Sequence, residues 1–296
     1  MASANILPLD DALRATYTAC VGIDDELSEL KTMAGINTAI TSVGTAAGVG
    51  ATVTGFVKQS KDNQAEELEK LIKELEELEK NAIYPTDAEQ LAFLAEFEQS
   101  YDIAIKDIDG AAELDKLNKQ SKKLGNWRTG LMAGATATNV AGAIIAGTNK
   151  VDGDLKTQID NCISTIKNLQ NSIMQARING EDISEAQSIA SACGEYEYVD
   201  VSKINNRAKG AMISSTVGAA TGLAGTVTSA MANTDKTRND NTESGKQKEK
   251  NLNTAANVLA IGTTAASATA TVFNATQISA IKKVAAVAEK CTGVLK

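Results

Sequence analysis

Cys20, Cys162, Cys193 and Cys291 are the side chains best able to do covalent chemistry here. None lies in a CxxC pair, the spacing used by redox-active dithiols and many zinc sites. Cys162 and Cys193 are nearly symmetric about Ile178-Asn179, so a helical hairpin turning there would set them face to face. Cys20 opens the first helical region and Cys291 closes the last, and those ends meet in an up-down bundle with an even number of helices. The expected disulfides are therefore Cys162–Cys193 and Cys20–Cys291. They imply an oxidising compartment, periplasmic or extracellular; the competing reading is four buried thiols in a cytoplasmic protein.

Other chemistry is hard to place. The chain has no histidine, which removes the commonest general base and metal ligand and excludes Ser–His and Cys–His nucleophile pairs within one chain. Gly48-Val-Gly50 begins like a dinucleotide-binding turn but lacks a third glycine and a preceding strand. No Walker A sequence occurs. The run from Asp235 to Lys246 has the texture of a calcium loop, yet Asp240 stands at the turn-glycine position and Lys246 where a bidentate Glu is needed. Glu66, Glu67, Glu69, Glu74, Glu76, Glu77 and Glu79 alternate with lysines as a solvated helix face. We therefore assign no catalytic, cofactor-binding or metal-ligating residue and expect a non-catalytic protein. Glu195-Tyr196-Glu197-Tyr198 is the densest aromatic cluster; it reads as a cap on one end of a bundle, with a partner-binding surface as the alternative.

The net charge of −8, with basic residues interleaved among acidic ones, argues against nucleic acid and anionic membrane surfaces as partners. The opening Met1–Asn5 lacks the basic and apolar regions of a secretory leader.

The elements that would position these residues are helices. Only two prolines, Pro8 and Pro85, and 3% aromatic residues fit an all-α protein built from a few long antiparallel helices. A first helix is expected from Asp24 to Ile83, with Asp24, Asp25 and Glu26 at the positive end of its dipole. Its apolar stripe reads Met33, Ile36, Ile40, Val43, Val49, Val53 and Phe56. Thr86-Asp87-Ala88-Glu89 has capping-box form and opens a second helix carrying Leu91, Leu94, Phe97, Tyr101, Ile105 and Ile108 on one face. Leu155, Ile159, Cys162, Ile166, Leu169, Ile173 and Ala176 alternate by four and three, the spacing of a coiled-coil seam, and Gly180 ends that helix. A short return helix follows to Cys193, and Asp235 to Lys250 reads as a polar turn.

Four stretches contain no charged residue: 32–57, 129–149, 210–234 and 251–281. They are rich in Gly, Ala, Ser and Thr and resemble one another only as a weak repeat. Gly44 with Gly48, Gly130 with Gly134, and Gly218 with Gly222 fit GxxxG, which lets helix backbones approach closely. Folding the last two stretches about Ser244 would set Gly222 opposite Ala266.

The organisation read from this pattern is a first long hairpin over 1–150, a short hairpin and connector over 151–200 and a second long hairpin over 201–296, forming one elongated domain. The leading functional expectation is a structural or assembly protein that self-associates through its small-residue helix faces. The alternative is a pore-forming or membrane-remodelling protein inserting the Gly210–Ile281 hairpin. Stretches of this length can span a bilayer, but their Asn, Ser and Thr content weighs against each one singly.

Overall fold

The computed structural model describes residues 6–59, 121–238 and 242–295. Among them the protein is all-helical, without a strand. In chain order the helices are α1 (Leu9–Cys20), α2 (Ile23–Gln59), α3 (Ser121–Thr148), α4 (Gly153–Asn179), α5 (Ser184–Cys193), α6 (Ser202–Ala232), α7 (Asp235–Arg238) and α8 (Glu243–Leu295), with a 3-10 turn over Gly194–Tyr198. The Pro85 turn, the Thr86 capping box, the stripe from Leu91 to Ile108 and the Glu66–Glu79 face lie outside the described residues.

The chain divides into two compact units. The first takes residues 6–34, 149–208 and 277–295. Its core is apolar: Ile23, Leu27, Leu155, Ile159, Ile166, Leu169, Ile189, Ile204, Ile278, Ile281 and Val284 form one buried cluster. Burying such side chains, at about 1.5–3 kcal/mol each, holds this unit together. The four-three seam of α4 is buried as expected from Leu155 to Leu169 and again at Ala176. At the sixth position of the seam Ser172 replaces Ile173 in the interior and donates to the carbonyl of Leu7 at 2.8 Å.

Helix α4 ends where Gly180 takes a left-handed φ of 77°, and the Glu181 N–H reaches back to the Ala176 carbonyl at 3.0 Å. This is a Schellman-type stop that only glycine adopts without strain. Elsewhere side-chain amides tie the backbone of this unit: Asn205 accepts from the Val151 N–H at 2.8 Å and donates to the Val151 carbonyl at 2.9 Å. Gln158 donates to the Val21 carbonyl at 2.9 Å, securing the α1–α2 elbow.

The expected disulfide pairing is corrected. Cys20 is bonded to Cys162 and Cys193 to Cys291, with Cα–Cα distances of 4.8 and 4.5 Å. Two local features account for this. The α4–α5 turn lies at Gly180–Ile183, later than Ile178-Asn179, so the end of α5 comes beside Gln170, two helical turns from Cys162. A helix unforeseen in the sequence, α1, packs along α4 and carries Cys20 to Cys162 instead.

The second unit comprises 35–59, 121–148, 209–238 and 242–276. The contacts make it an up-down-up-down bundle. Gly44 lies against Thr138 and Gly142 against Thr41, so α2 and α3 are antiparallel. Gly222 lies against Thr136 and Gly218 against Asn139 (α3–α6), Gly210 against Phe273 and Gly225 against Leu259 (α6–α8), and Gly48 against Thr264 (α8–α2). The α6–α8 register differs from expectation by one helical turn: Thr221 meets Thr263 at 3.0 Å, which sets Gly222 opposite residue 262 instead of Ala266. The polar segment 235–250 is the cause. Asp235–Arg238 and the residues from Glu243 onward are helical, which moves the fold point back toward residue 242.

Candidate functional site: the polar interior of the second unit

Each of the four long described helices of the second unit turns toward its neighbours a seam that alternates by four and three, apart from one seven-residue step on α8. On α2 it runs Asn37, Thr41, Gly44, Gly48, Ala51 and Gly55; on α3, Arg128, Met132, Ala135, Asn139, Gly142 and Ala146. On α6 it runs Ala211, Ser215, Gly218, Gly222, Gly225, Ser229 and Ala232, and on α8, Asn253, Asn257, Ala260, Thr264, Ser267 and Asn274. All of these residues are buried. The spacing is that of a heptad seam, but the side chains are small or polar. Among the described residues, the only buried apolar cluster in this unit is Ala51, Met132 and Ala260, with Leu131 packed against it.

The interior is consequently a stack of hydrogen-bonded layers. At one level Asn37 Nδ2 donates to Asn274 Oδ1 at 3.0 Å, and Asn274 Nδ2 and Thr271 Oγ1 both donate to Thr41 Oγ1, at 3.3 and 3.1 Å. At the next, Asn139 donates to Ser267 Oγ at 2.7 Å. Beyond the Met132 layer, Arg128 donates to Ser229 Oγ at 2.7 Å, to Asn257 Oδ1 at 3.3 Å and to Asn253 Oδ1 at 3.0 Å. The final level joins Asn233 Nδ2 to Asn126 Oδ1 at 2.7 Å. Three buried atoms of this interior, Asn37 Oδ1, Asn139 Oδ1 and Ser215 Oγ, have no hydrogen-bond partner.

The outward faces are apolar. On α6 they carry Ile213, Val217, Leu223, Val227 and Met231; on α3, Trp127, Val140 and Ile144; on α8, Val258 and Ile261; on α2, Ile36 and Val43. Ile144, Leu223 and Val258 are each 60% or more exposed. Of the apolar stripe expected for α2, Val49 and Val53 are buried, whereas Ile36 and Val43 look outward while Asn37, Thr41 and Gly44 look in. In this unit many of the large apolar residues lie on the surface instead of in the core.

The candidate glycines divide. A Cβ on Gly48 would stand 3.2 Å from the Thr264 Cα, and one on Gly222 would stand 3.3 Å from the Thr136 Cα. Gly44 is pressed against Thr138 and Gly218 against Asn139. Gly130 and Gly134 meet nothing within 4 Å and lie on the open face of α3. Gly55, Gly125, Gly142, Gly210 and Gly225 also make close approaches although they belong to no GxxxG pair. Arg128 escaped the sequence reading because it sits one residue before the uncharged stretch; its place at the head of the α3 seam was the signal.

The four cysteines lie together in the first unit, all disulfide-bonded and away from any reactive role. In the tyrosine cluster Tyr196 is fully buried, with its hydroxyl unpartnered, and Tyr198 is 85% exposed. The neighbouring acids bind lysines: Glu195 pairs with Lys290, and Glu197 with Lys167 at 3.6 Å. Gly48-Val-Gly50 lies inside α2. Among the described residues no three His, Cys, Asp or Glu side chains converge as a metal site.

By length and composition three helical segments could cross a membrane: Leu9–Lys58, Leu124–Asn179 and Glu243–Leu295. Compared with protein-family models, curated proteins and solved structures, the chain matches none of them.

Proposed function

We propose that the second unit is a membrane-embedded helical bundle and that the protein is a non-catalytic, pore-forming or membrane-remodelling protein acting through it. The observation that carries this reading is the largely inverted distribution: amides, hydroxyls, glycines and one arginine inside, with Val49, Val53 and Met132 the large apolar residues buried among the unit's described residues, and Val, Ile, Leu, Met and Trp side chains outside. A bundle in water gains stability by the opposite arrangement. In hydrocarbon, apolar side chains cost nothing outside, while small residues and interhelical polar contacts hold helices together. The shortest of the four uncharged stretches, 129–149, would be about 30 Å long as a helix, which matches the apolar thickness of a bilayer. Exposed Trp127 stands at its edge, where indole rings favour the membrane–water interface. The embedded element is then all four stretches together, a larger element than the Gly210–Ile281 hairpin alone.

The assembly reading loses part of its basis, because Gly44, Gly48, Gly218 and Gly222 are occupied within the chain. Gly130 and Gly134 keep it alive as a second reading: their open face on α3 could receive another copy. Two disulfides support an oxidising compartment for the first unit.

Light scattering with and without phosphatidylcholine vesicles, combined with protease digestion, tests the proposal. Association with vesicles, protection of fragments containing α3, α6 and α8, and dye release are expected. A chain that remains unbound to vesicles and forms a defined oligomer in buffer would transfer the apolar exterior to self-assembly.

A further inference from the structure

Helix α2 is held by the ordinary ladder, in which each N–H bonds the carbonyl four residues earlier. At one turn a side chain from elsewhere reaches both ends of a single ladder bond. Asn149, buried directly after α3, donates from Nδ2 to the Leu30 carbonyl at 3.1 Å, and its Oδ1 accepts from the Ala34 N–H at 3.1 Å. A side-chain amide carries the donor and the acceptor of a peptide group, so it offers Leu30 and Ala34 the bonds they offer each other. The Ala34 N–H has a single proton, and the Leu30 carbonyl and Asn149 Oδ1 compete for it.

The main chain that carries Asn149 is itself fastened. Gln277 Nε2 donates to the Asn149 carbonyl at 2.8 Å, and Asn205 takes both main-chain groups of Val151 two residues later. Leu30, Ala34, Asn149, Val151, Asn205 and Gln277 all belong to the first unit. Gly35 follows this turn of α2; a Cβ there would meet nothing within 4 Å, and glycine is the poorest helix former after proline.

We infer that Asn149 is a latch spliced into the α2 ladder at Leu30–Ala34, giving this turn two arrangements. In the latched one the Asn149 amide stands between the carbonyl and the N–H and opens the turn, as side chains inserted into a ladder do. In the unlatched one Asn149 withdraws to water and the Ala34 N–H returns to the Leu30 carbonyl. Every donor and acceptor has a partner in both, so neither arrangement carries the cost of an unpaired buried group. Gln277 sets the balance, because it fixes the backbone from which the amide projects. The inference holds whether lipid or water surrounds the second unit.

The test reads hydrogen-bond partners directly, by nuclear magnetic resonance on the intact, isotope-labelled chain. Scalar coupling across the hydrogen bond is expected from the Ala34 nitrogen to the Asn149 side-chain carbonyl carbon, larger than any to the Leu30 carbonyl carbon. Asn149→Ala should abolish the first coupling and bring out the second. Gln277→Ala should move wild type part of the way in the same direction. A wild-type Ala34 coupled to Leu30 alone would overturn the inference, and that measurement decides even if neither variant folds. A folded Asn149→Ala chain in which the Leu30 coupling fails to appear would overturn it too, as would a folded Gln277→Ala chain with wild-type couplings.

Discussion

Asn139 on α3 donates to Ser267 on α8 at 2.7 Å, while its amide lies against Gly218 on α6, closer than any Cβ there would tolerate. One side chain thereby links three helices, and the fit depends on the hydrogen at Gly218. Gly218→Ala should therefore destabilise the bundle by about 1–3 kcal/mol through overpacking. Gly130→Ala, placed where nothing lies within 4 Å, should instead stabilise by about 0.5–1 kcal/mol from helix propensity alone. Denaturant midpoints of the two variants should move in opposite directions.

The disulfide connectivity gives a sharp outcome. Cys162→Ser should expose one titratable thiol, and peptide mapping should locate it at Cys20 and not at Cys193. The Cys20–Cys162 link closes a separation of 142 residues and Cys193–Cys291 one of 98. In the chain-entropy picture each contributes up to about 5 kcal/mol. Reduction should accordingly lower the melting temperature of the first unit.

Exposed apolar residues of the bundle discriminate between environments. Leu223→Glu and Val258→Glu should change stability in buffer by less than about 0.5 kcal/mol if those faces meet water. Embedded in lipid, a charge at mid-span costs roughly 2.5–3.5 kcal/mol, so the same variants should lose vesicle binding and dye release. Equal vesicle activity in wild type and both variants would contradict the proposed function.

At alkaline pH the informative group is Tyr196. Burial, reinforced by the charge of Asp24, raises its phenol well above the ordinary range. The fold thus favours the neutral form, and stability is unaffected below the unfolded value near pH 10 and declines as pH rises through it. Ultraviolet titration should show Tyr196 ionising only as the chain unfolds. Tyr196→Phe should flatten the alkaline loss without harming stability, since the hydroxyl it removes has no partner.

Two solvent-exposed caps act at the acid end. The Asp182 carboxylate accepts the Ser184 N–H at 3.0 Å and its hydroxyl at 2.8 Å, and Asp200 similarly accepts from the hydroxyl and N–H of Ser202. Both acids are held below the usual carboxylate range, mainly by those bonds. Their contribution is present above about pH 4 and disappears as pH falls through their folded values. Asp182→Asn and Asp200→Asn should each weaken the acid dependence of stability, measured by circular dichroism.

The first unit was largely legible because its pattern is apolar. The run from Leu155 to Leu169 and the stop at Gly180 follow directly from spacing and glycine chemistry. The second unit was legible as helices but not as a surface and an interior. Tracking large apolar residues selected Ile36 and Val43, whereas the inward seam is made of Asn37, Thr41 and Gly44. That seam keeps perfect four-three alternation, so periodicity of small and polar residues held the information that hydrophobicity concealed. The cysteine pairing failed for a geometric reason: a turn misplaced by about three residues moves a facing side chain by about two helical turns, once both arms are counted.

Interior threonines of the bundle have one further consequence. Thr41, Thr45, Thr52, Thr136, Thr263 and Thr264 each donate to the carbonyl four residues earlier on their own helix. Most hydroxyl protons are thus committed within a single helix and would survive if that helix slid or rotated against its neighbours. Mechanically the bundle consists of stiff rods with smooth flanks, pinned at the asparagine and arginine levels. Its resistance to shear should be concentrated at those pins, so removing Asn139 or Asn274 should loosen the rods without melting them.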